Sequence, residues 1–560
     1  MIARKYWFAL FGLSALSSIP WLTTIVGDAQ VHLAFAEQFS RGDPFRYNPM
    51  GEITLASTSP FWTMLLAFLF RLIGAWTPLG LKLIVVLVWL GASYMLYRIA
   101  RDVWQMRGIV LFAVIGLWLT QTTIVGNALG GLENILSALE VLGLYYLTMQ
   151  WRGGFTRSRA LALGALLGWA ILTRLDGGLF CAIIVGMYLL HERSTSQRNW
   201  LVATGLLASI ALIIVAPWYA YQYSSTGAIL SDSSLARLYT GRRGSIEVIA
   251  NLLYFHPKPL ITLATAFLPL MLGLALDLIH AIAVERLRDR SPAKASSPNI
   301  SNRENDPRVV AWVIGLAGFG FYTFVVGGDA FGRYFLPILP FYFLSGIAGL
   351  TWLDSRLQNK FRWHAPVALA LAILFLTGVS GVDFYRRVVL ERADATGILN
   401  VLYGPAHRQY YSANLGELIA APGLRAQRTQ ELRQALGLPS SQPLTFAVTE
   451  VQLRYYVDDT IQISSLDGRT SPEVLRYNDP ATGVPDFARY LSATRPDLVH
   501  VAQWCAIGDW RADVASSAIG QNLLCDWEKK TATLTVGDSF DWNGNRVSVV
   551  VPEIVRITWK

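Results

Sequence analysis

Arg4-Lys5, then YWFALFGLSALSSIPWLTTIV (residues 6–26), then Gly27-Asp28-Ala29-Gln30 is the stretch that decides how this chain is read. The run over 6–26 is long and apolar enough to cross a bilayer, and the two cations before it favour a cytoplasmic N-terminus. It is too long for a signal-peptide core. Thr24-Ile25-Val26-Gly27-Asp28 is not a small-x-small cleavage site either, so the helix is read as retained. Asp28 then emerges at the outer membrane–water boundary. A carboxylate there is partly desolvated, and costly unless a cation or a hydrogen-bond donor meets it, which makes it a functional-site candidate. The plainer reading is a helix N-cap, a position that Asp often takes.

The same pattern runs outward from this stretch. Of the 560 residues 53% are hydrophobic and 15% charged, with a mean hydropathy of +0.38. Charge is scarce for a globular chain and apolar runs recur through the first two-thirds, which reads as a polytopic α-helical membrane protein. The net charge of +9 is not a nucleic-acid footprint, because much of it falls in short loops read as cytoplasmic. After 6–26, spans are read at 81–99, 109–125, 135–150, 160–173, 179–190, 201–217, 260–281, 309–326, 334–353 and 366–382. That is about eleven crossings. Arg98, Arg101 and Arg107, then Arg152, Arg157 and Arg159, then the basic loop 285–308 mark the inner side. Residues 59–74 carry Arg71 and are read as interfacial or re-entrant, since a full crossing would invert this charge pattern. The short pair 160–173 and 179–190 reads as a possible helical hairpin with Thr173-Arg174-Leu175-Asp176-Gly177-Gly178 at its tip.

This threading divides the chain into a membrane domain, 1–383, and an extracytoplasmic domain, 384–560. The second turns polar and is expected to be a compact α/β unit, with strands at 444–449, 498–502, 533–536 and 547–551 and helices at 415–419 and 487–494. Cys181 reads as a small core residue, while Cys505 and Cys525 could pair if their region lies outside. Trp504, Trp510, Trp527 and Trp542 read as core sooner than as platforms for sugar rings.

The outer loops carry the chemistry. The first opens at Asp28 with an amphipathic helical pattern, then gives Phe45-Arg46-Tyr47-Asn48-Pro49 and Ser57-Thr58-Ser59-Pro60-Phe61-Trp62. Such a mixture suits a place where a soluble group meets a lipid tail, so Arg46, Asn48, Ser59 and Trp62 are acceptor or loop candidates. Interfacial anchoring by Tyr and Trp is the plain alternative. Later loops bring Glu133, then Arg174 and Asp176, then Asp232 and Arg237, then Asp329 and Arg333. Charges at that depth should pair with each other or with a ligand. The guanidinium fork matches phosphate oxygens, and an anionic lipid head group is the natural ligand at that height. A structural lattice of ion pairs is the competing explanation.

Six pieces recur in order: Gly27-Asp28-Ala29; Asn48-Pro49-Met50-Gly51-Glu52; Thr58-Ser59-Pro60-Phe61-Trp62; Gly131-Leu132-Glu133; Arg174-Leu175-Asp176-Gly177; and Gly327-Gly328-Asp329 with Gly332-Arg333-Tyr334 and Pro337. In this order the chain resembles the GT-C superfamily of glycosyltransferases, and within it the branch containing the mycobacterial terminal arabinofuranosyltransferase. It departs from that branch at Leu175, where the family motif has proline. The resemblance implies a GT-C fold and an inverting, single-displacement transfer. The sugar would pass from a polyprenyl-phosphate donor to a cell-envelope glycan or lipid acceptor, at the outer face of a bacterial inner membrane. Asp28 would be the general base on the acceptor hydroxyl. Arg174, Arg237 and Arg333 would meet the leaving phosphate. Glu133, Asp176 and Asp329 would bind sugar hydroxyls or orient the arginines. No cofactor and no metal is expected, although the carboxylates could hold a divalent ion. Two rivals remain: a flippase of lipid-linked glycans, which needs charges at midplane depth, and a non-catalytic glycan-binding membrane protein.

Overall fold

The computed structural model describes residues 4–49, 51, 53–54, 58–120, 122–152, 155–193, 197–229, 268–289, 307–322, 334–361, 413–439, 442–448, 451–466, 477, 486–501, 519–551 and 554–560. Contacts divide the chain into two compact units. One comprises Met1–Leu22, Lys82–Tyr219 and Val248–Arg386, the other Thr23–Leu81, Ala220–Glu247 and Arg387–Lys560.

The first unit is helical. It contains α1 (Arg4–Leu22), most of α4 (Thr77–Arg98), α5 (Gly108–Thr120), α6 (Thr122–Leu129), α7 (Asn134–Gln150), α8 (Arg157–Thr173), α9 (Leu175–Arg193), most of α10 (Gln197–Thr226), α11 (Leu268–Asp289), α12 (Pro307–Phe321) and α13 (Leu339–Phe361). Among the described residues three helical stretches are long and apolar enough to cross a membrane: Pro60–Val103, Leu175–Arg193 and Trp200–Thr226. Shorter apolar helices lie at Gly108–Thr120, Gly273–Ala283, Pro307–Phe321 and Leu339–Trp352. Many large apolar side chains face outward, among them Phe8, Leu83, Leu87, Leu212 and Ile213, as a lipid-facing surface requires. α11 and α13 cross closely, because Gly273 lies against Gly346 and Gly349 and a Cβ on Gly273 or Gly349 would strike backbone.

Several boundaries differ from those the apolar runs suggest. The first helix stops at Leu22, and Thr24–Ile25 forms a short strand, β1. Thr23, Thr24, Ile25 and Val26 are all β-branched, and such side chains favour extended backbone once the apolar demand of the span is met. The run at 109–125 is divided between α5 and α6. α8 and α9 are longer than the expected hairpin arms and leave Arg174 as the single non-helical residue between them.

The second unit combines α2 (Gly27–Ser40) and α3 (Pro60–Ile73) with the C-terminal residues. β1 pairs antiparallel with β2 (Ala413–Asn414), Thr24 opposite Asn414 and Ile25 opposite Ala413. α14 (Leu415–Ala435) follows, four turns longer than the helix expected at 415–419. A six-stranded sheet has the order β4-β3-β5-β8-β7-β6, built from β3 (Leu444–Val448), β4 (Ile461–Ser465), β5 (Leu498–His500), β6 (Ser539–Trp542), β7 (Asn545–Val551) and β8 (Ile554–Thr558). β4, β3 and β5 are parallel and the other pairs antiparallel. α15 (Phe487–Thr494) and α16 (Ile519–Thr533) supply covering helices, and Tyr490, Leu491 and Trp527 pack with Val499, Val547 and Val555 of the sheet. The strand expected at 533–536 is absent: α16 runs to Thr533 and the next strand opens at Ser539. Trp527 and Trp542 are core residues in edge-on contact, 5.2 Å between centroids, whereas Trp504 and Trp510 lie outside the described residues. Cys181 is a buried free thiol and Cys525 is disulfide-bonded; Cys505 lies outside the described residues.

Candidate functional site

Helix ends organise the charged residues of the first unit. Arg174 closes α8, Asp176 is in the first turn of α9, and Glu133 is the residue that caps α7. A cation at a helix C-terminus and carboxylates at helix N-termini each meet the favourable end of a macrodipole. Glu133 and Asp176 meet on Arg174. Its Nε and Nη2 donate to the two oxygens of Asp176 at 2.9 and 2.8 Å. Its Nη1 donates to Asn134 Oδ1 at 2.8 Å and to Glu133. The Tyr322 hydroxyl donates to Asp176 Oδ2 at 3.0 Å, and Gly177 N donates to Oδ1 at 2.9 Å. The guanidinium lies over the Tyr334 ring, 5.0 Å from its centroid.

This cluster is dry. Arg174 is 9% exposed, Glu133 2% and Asn134 0%. One cation faces two carboxylates, so the three residues sum to a net negative charge. Most of the fork's donors are engaged by side chains, and a phosphate arriving at Arg174 would have to displace one of them. Among the described residues the buried Asn134 Nδ2 and Ser137 Oγ have no hydrogen-bond partner. Gly177 faces that serine so closely that a Cβ would collide with Ser137 Oγ. Gly177→Ala is therefore expected to destabilise the fold by about 1–3 kcal/mol through overpacking, read as a lower midpoint in detergent melting of the whole protein.

Asp28 belongs to the second unit. It is half-buried in the first turn of α2, but it is not the cap, which is Val26. It stands among the helix N-terminal amides, the end of the macrodipole that attracts negative groups. Further along α2, Glu37 accepts from Arg425 Nη1 and Nη2 at 2.8 and 2.6 Å, and Arg41 donates to it at 2.8 Å. Burial opposes charge on Glu37, but the Arg425 hydrogen bonds and the charges of Arg425, Arg41 and Arg454 outweigh it and hold the carboxyl below its ordinary range.

The other first-loop candidates lie in α3 and in the loop before it, and each is tied into the fold. Asn48 mimics a strand residue: its Nδ2 donates to Ile463 O at 2.8 Å and its Oδ1 accepts from Ile463 N at 3.0 Å. Arg46 Nη1 ties its own loop by donating to Gly51 O at 3.0 Å. Ser59 precedes α3 and Trp62 lies on its buried side, both 0% exposed. Arg237, Asp329 and Arg333 lie outside the described residues. No group of three potential metal ligands occurs among the described residues.

Asn134, Tyr322, Glu37, Arg425 and Lys82 join these networks without having stood out as candidates in the sequence. Lys82 is 3% exposed; its Nζ donates to Trp21 O at 2.8 Å and to Leu129 O, carbonyls at the ends of α1 and α6. Only Asn134 carried a sequence signal, by adjoining Glu133. The partners of the rest are distant in the chain.

No protein family matches the sequence, and no curated protein does. Among solved structures, the chain is similar to ArnT from Cupriavidus metallidurans in the apo state. The identity is 18%, covering 91% of this chain and 95% of that one, at a TM-score of 0.50. The same protein bound to undecaprenyl phosphate gives 16% identity, covering 90% and 95%, at a TM-score of 0.49. At such identities the likeness is one of fold. This chain is a helical membrane protein with the ArnT fold along nine-tenths of its length.

Proposed function

We propose that this protein is an inverting membrane glycosyltransferase that takes its sugar from a polyprenyl-phosphate donor. The observation that carries the reading is the fold. A chain read from its motifs as GT-C-like has the architecture of ArnT, a protein solved with undecaprenyl phosphate bound. Asp28 is the base in this reading. An alcohol attacking an anomeric carbon must lose its proton as the bond forms, and a carboxylate in the first turn of a helix can accept it.

Negative charge then develops on the leaving phosphate, where preorganised cations lower the barrier. Arg237 and Arg333 are the phosphate candidates. Arg174, whose fork is largely engaged by Asp176, Glu133 and Asn134, serves to organise that acidic pair. Glu133 and Asp176 then present fixed oxygens to sugar hydroxyls. The chemistry takes place at the outer face of an inner membrane, with the N-terminus inside and the sheet-bearing C-terminal domain outside. The acceptor is a cell-envelope glycan or lipid. The likeness of the motifs to the terminal arabinofuranosyltransferase branch makes a pentose the first sugar to try.

The purified full-length protein in lipid vesicles, given labelled polyprenyl-monophosphate pentose or hexose, is expected to release polyprenyl phosphate and form a new glycosidic bond or, without acceptor, slow hydrolysis. Movement of intact donor across the vesicle without bond cleavage would identify a flippase. Binding of glycan with neither outcome would identify a non-catalytic receptor.

A further inference from the structure

We infer that the C-terminal region is the mount that holds Asp28, with Arg425 and Tyr456 as positioning residues; the inference rests on Asp28 acting as the base. Asp28 lies in α2, and residues from the far end of the sequence grip that helix on both sides of it. Ahead of Asp28, Thr24 and Ile25 pair with Asn414 and Ala413, and Leu415 N donates to Thr23 O at 2.8 Å. Just after it, the Tyr456 hydroxyl donates to Gln30 Oε1 at 3.1 Å. Two turns further on, Arg425 clamps Glu37 with both Nη groups.

The arginine is itself fixed. Its Nε donates to Tyr455 O at 2.9 Å and its guanidinium lies 5.1 Å from the Tyr455 ring centroid. Arg425 and Glu37 are 9% exposed, so the pair is shielded from water. Arg41 and Asp459 form an exposed rim, with Arg454 donating to Asp459. The anchors span three elements of the C-terminal region: β2, α14 and the turn Val451–Tyr455 with Tyr456 after it.

This is more than a surface contact between a catalytic domain and an appended binding module. α2 is short, and its N-terminal turn has no side-chain cap. The place of the Asp28 backbone, from which its carboxylate projects, is therefore set in part by what holds the helix. Misplacing a catalytic group by about 1 Å can cost on the order of a hundredfold in rate. The C-terminal region thus acts on turnover through the position of the base.

The test uses the full-length protein in lipid vesicles. It compares wild type with Tyr456→Phe, Arg425→Lys, the neutral double variant Glu37→Gln/Arg425→Gln, and Asp28→Asn. The double variant removes both charges together and leaves neither buried alone, and Tyr456→Phe removes one hydroxyl, so these two keep the question open if Arg425→Lys misfolds. Two readouts are taken: amide exchange over residues 27–31, and kcat and KM for the labelled polyprenyl-phosphate sugar that the wild type consumes. The expected result is exchange about tenfold faster at 27–31 and kcat lower by about tenfold to a hundredfold in the double variant. Tyr456→Phe should give a smaller fall in the same direction, Arg425→Lys an intermediate one, and KM should stay within about twofold throughout. Unchanged exchange at 27–31 overturns the mount. So does faster exchange with unchanged kcat, or a rise in KM that accounts for the whole loss. If Asp28→Asn retains full turnover, the base assignment is what fails, and the exchange data still decide whether the C-terminal region holds α2.

Discussion

Asp28→Asn is expected to lower turnover by about 10²–10⁴-fold, the range a positioned general base supplies, with the labelled polyprenyl-phosphate donor still bound. The substitution keeps the shape of the side chain and its place in the first turn of α2, so the helix and its C-terminal anchors stay in place. What is lost is a proton acceptor, since an amide oxygen is far less basic than a carboxylate. Val26, not Asp28, is the N-cap residue, so the substitution removes no cap. Asp28→Glu keeps the charge but lengthens the reach by one methylene, and should recover part of the rate. The split is read from kcat on one side and from donor KM and the melting midpoint on the other. Wild-type turnover in Asp28→Asn would remove Asp28 from the mechanism. A loss of donor binding equal to the loss of rate would make it a donor ligand instead.

How far the sequence could be read depended on how local each feature is. The membrane class was legible because a span must satisfy its backbone internally and be apolar over its whole length, which leaves a mark along each apolar run, beginning with 6–26. The end of the first helix was harder. Thr23 to Val26 are apolar or β-branched and fit a span and a strand equally well, and what decides is the partner segment Ala413–Asn414, nearly four hundred residues away. The meeting of Glu133 with Arg174 and Asp176 follows from their places at helix ends. The pairing of Glu37 with Arg425 has no such local cue, because a Glu on an amphipathic helix looks solvated until the opposing helix is known. Asn48 depends in the same way on a partner far along the chain. A polar residue in an aromatic loop suggests ligand contact, yet its amide takes the place of a strand against Ile463. Thr533–Val536 looked like a strand because β-branched residues alternate there, but the helix ahead of it continues through Thr533, and tertiary packing overrides so short a preference.

Arg174→Ala is expected to damage the protein severely, and the damage should be to folding before it is to chemistry. Removing the guanidinium leaves Glu133 and Asp176 close together in a dry site with no cation between them, and breaking a buried pair in this way typically costs about 3–5 kcal/mol. Glu133→Gln/Asp176→Asn/Arg174→Met removes the charges together and should melt much nearer to the wild type, because no buried charge is then left unpaired. That contrast gives the cluster's function a clean reading. If the neutral triple variant folds and still transfers sugar at the wild-type rate, the three residues are a structural lattice and have no part in the site. If it folds, binds donor weakly and turns over slowly, the fixed oxygens of Glu133 and Asp176 were serving the sugar. Arg174→Lys separates the last two possibilities within the cluster. Lysine keeps the charge but cannot hold Asp176 with two parallel hydrogen bonds and Asn134 with a third. A variant that is stable yet slow would show that the orientation of the two carboxylates, and not the neutralisation of their charge, is what Arg174 contributes.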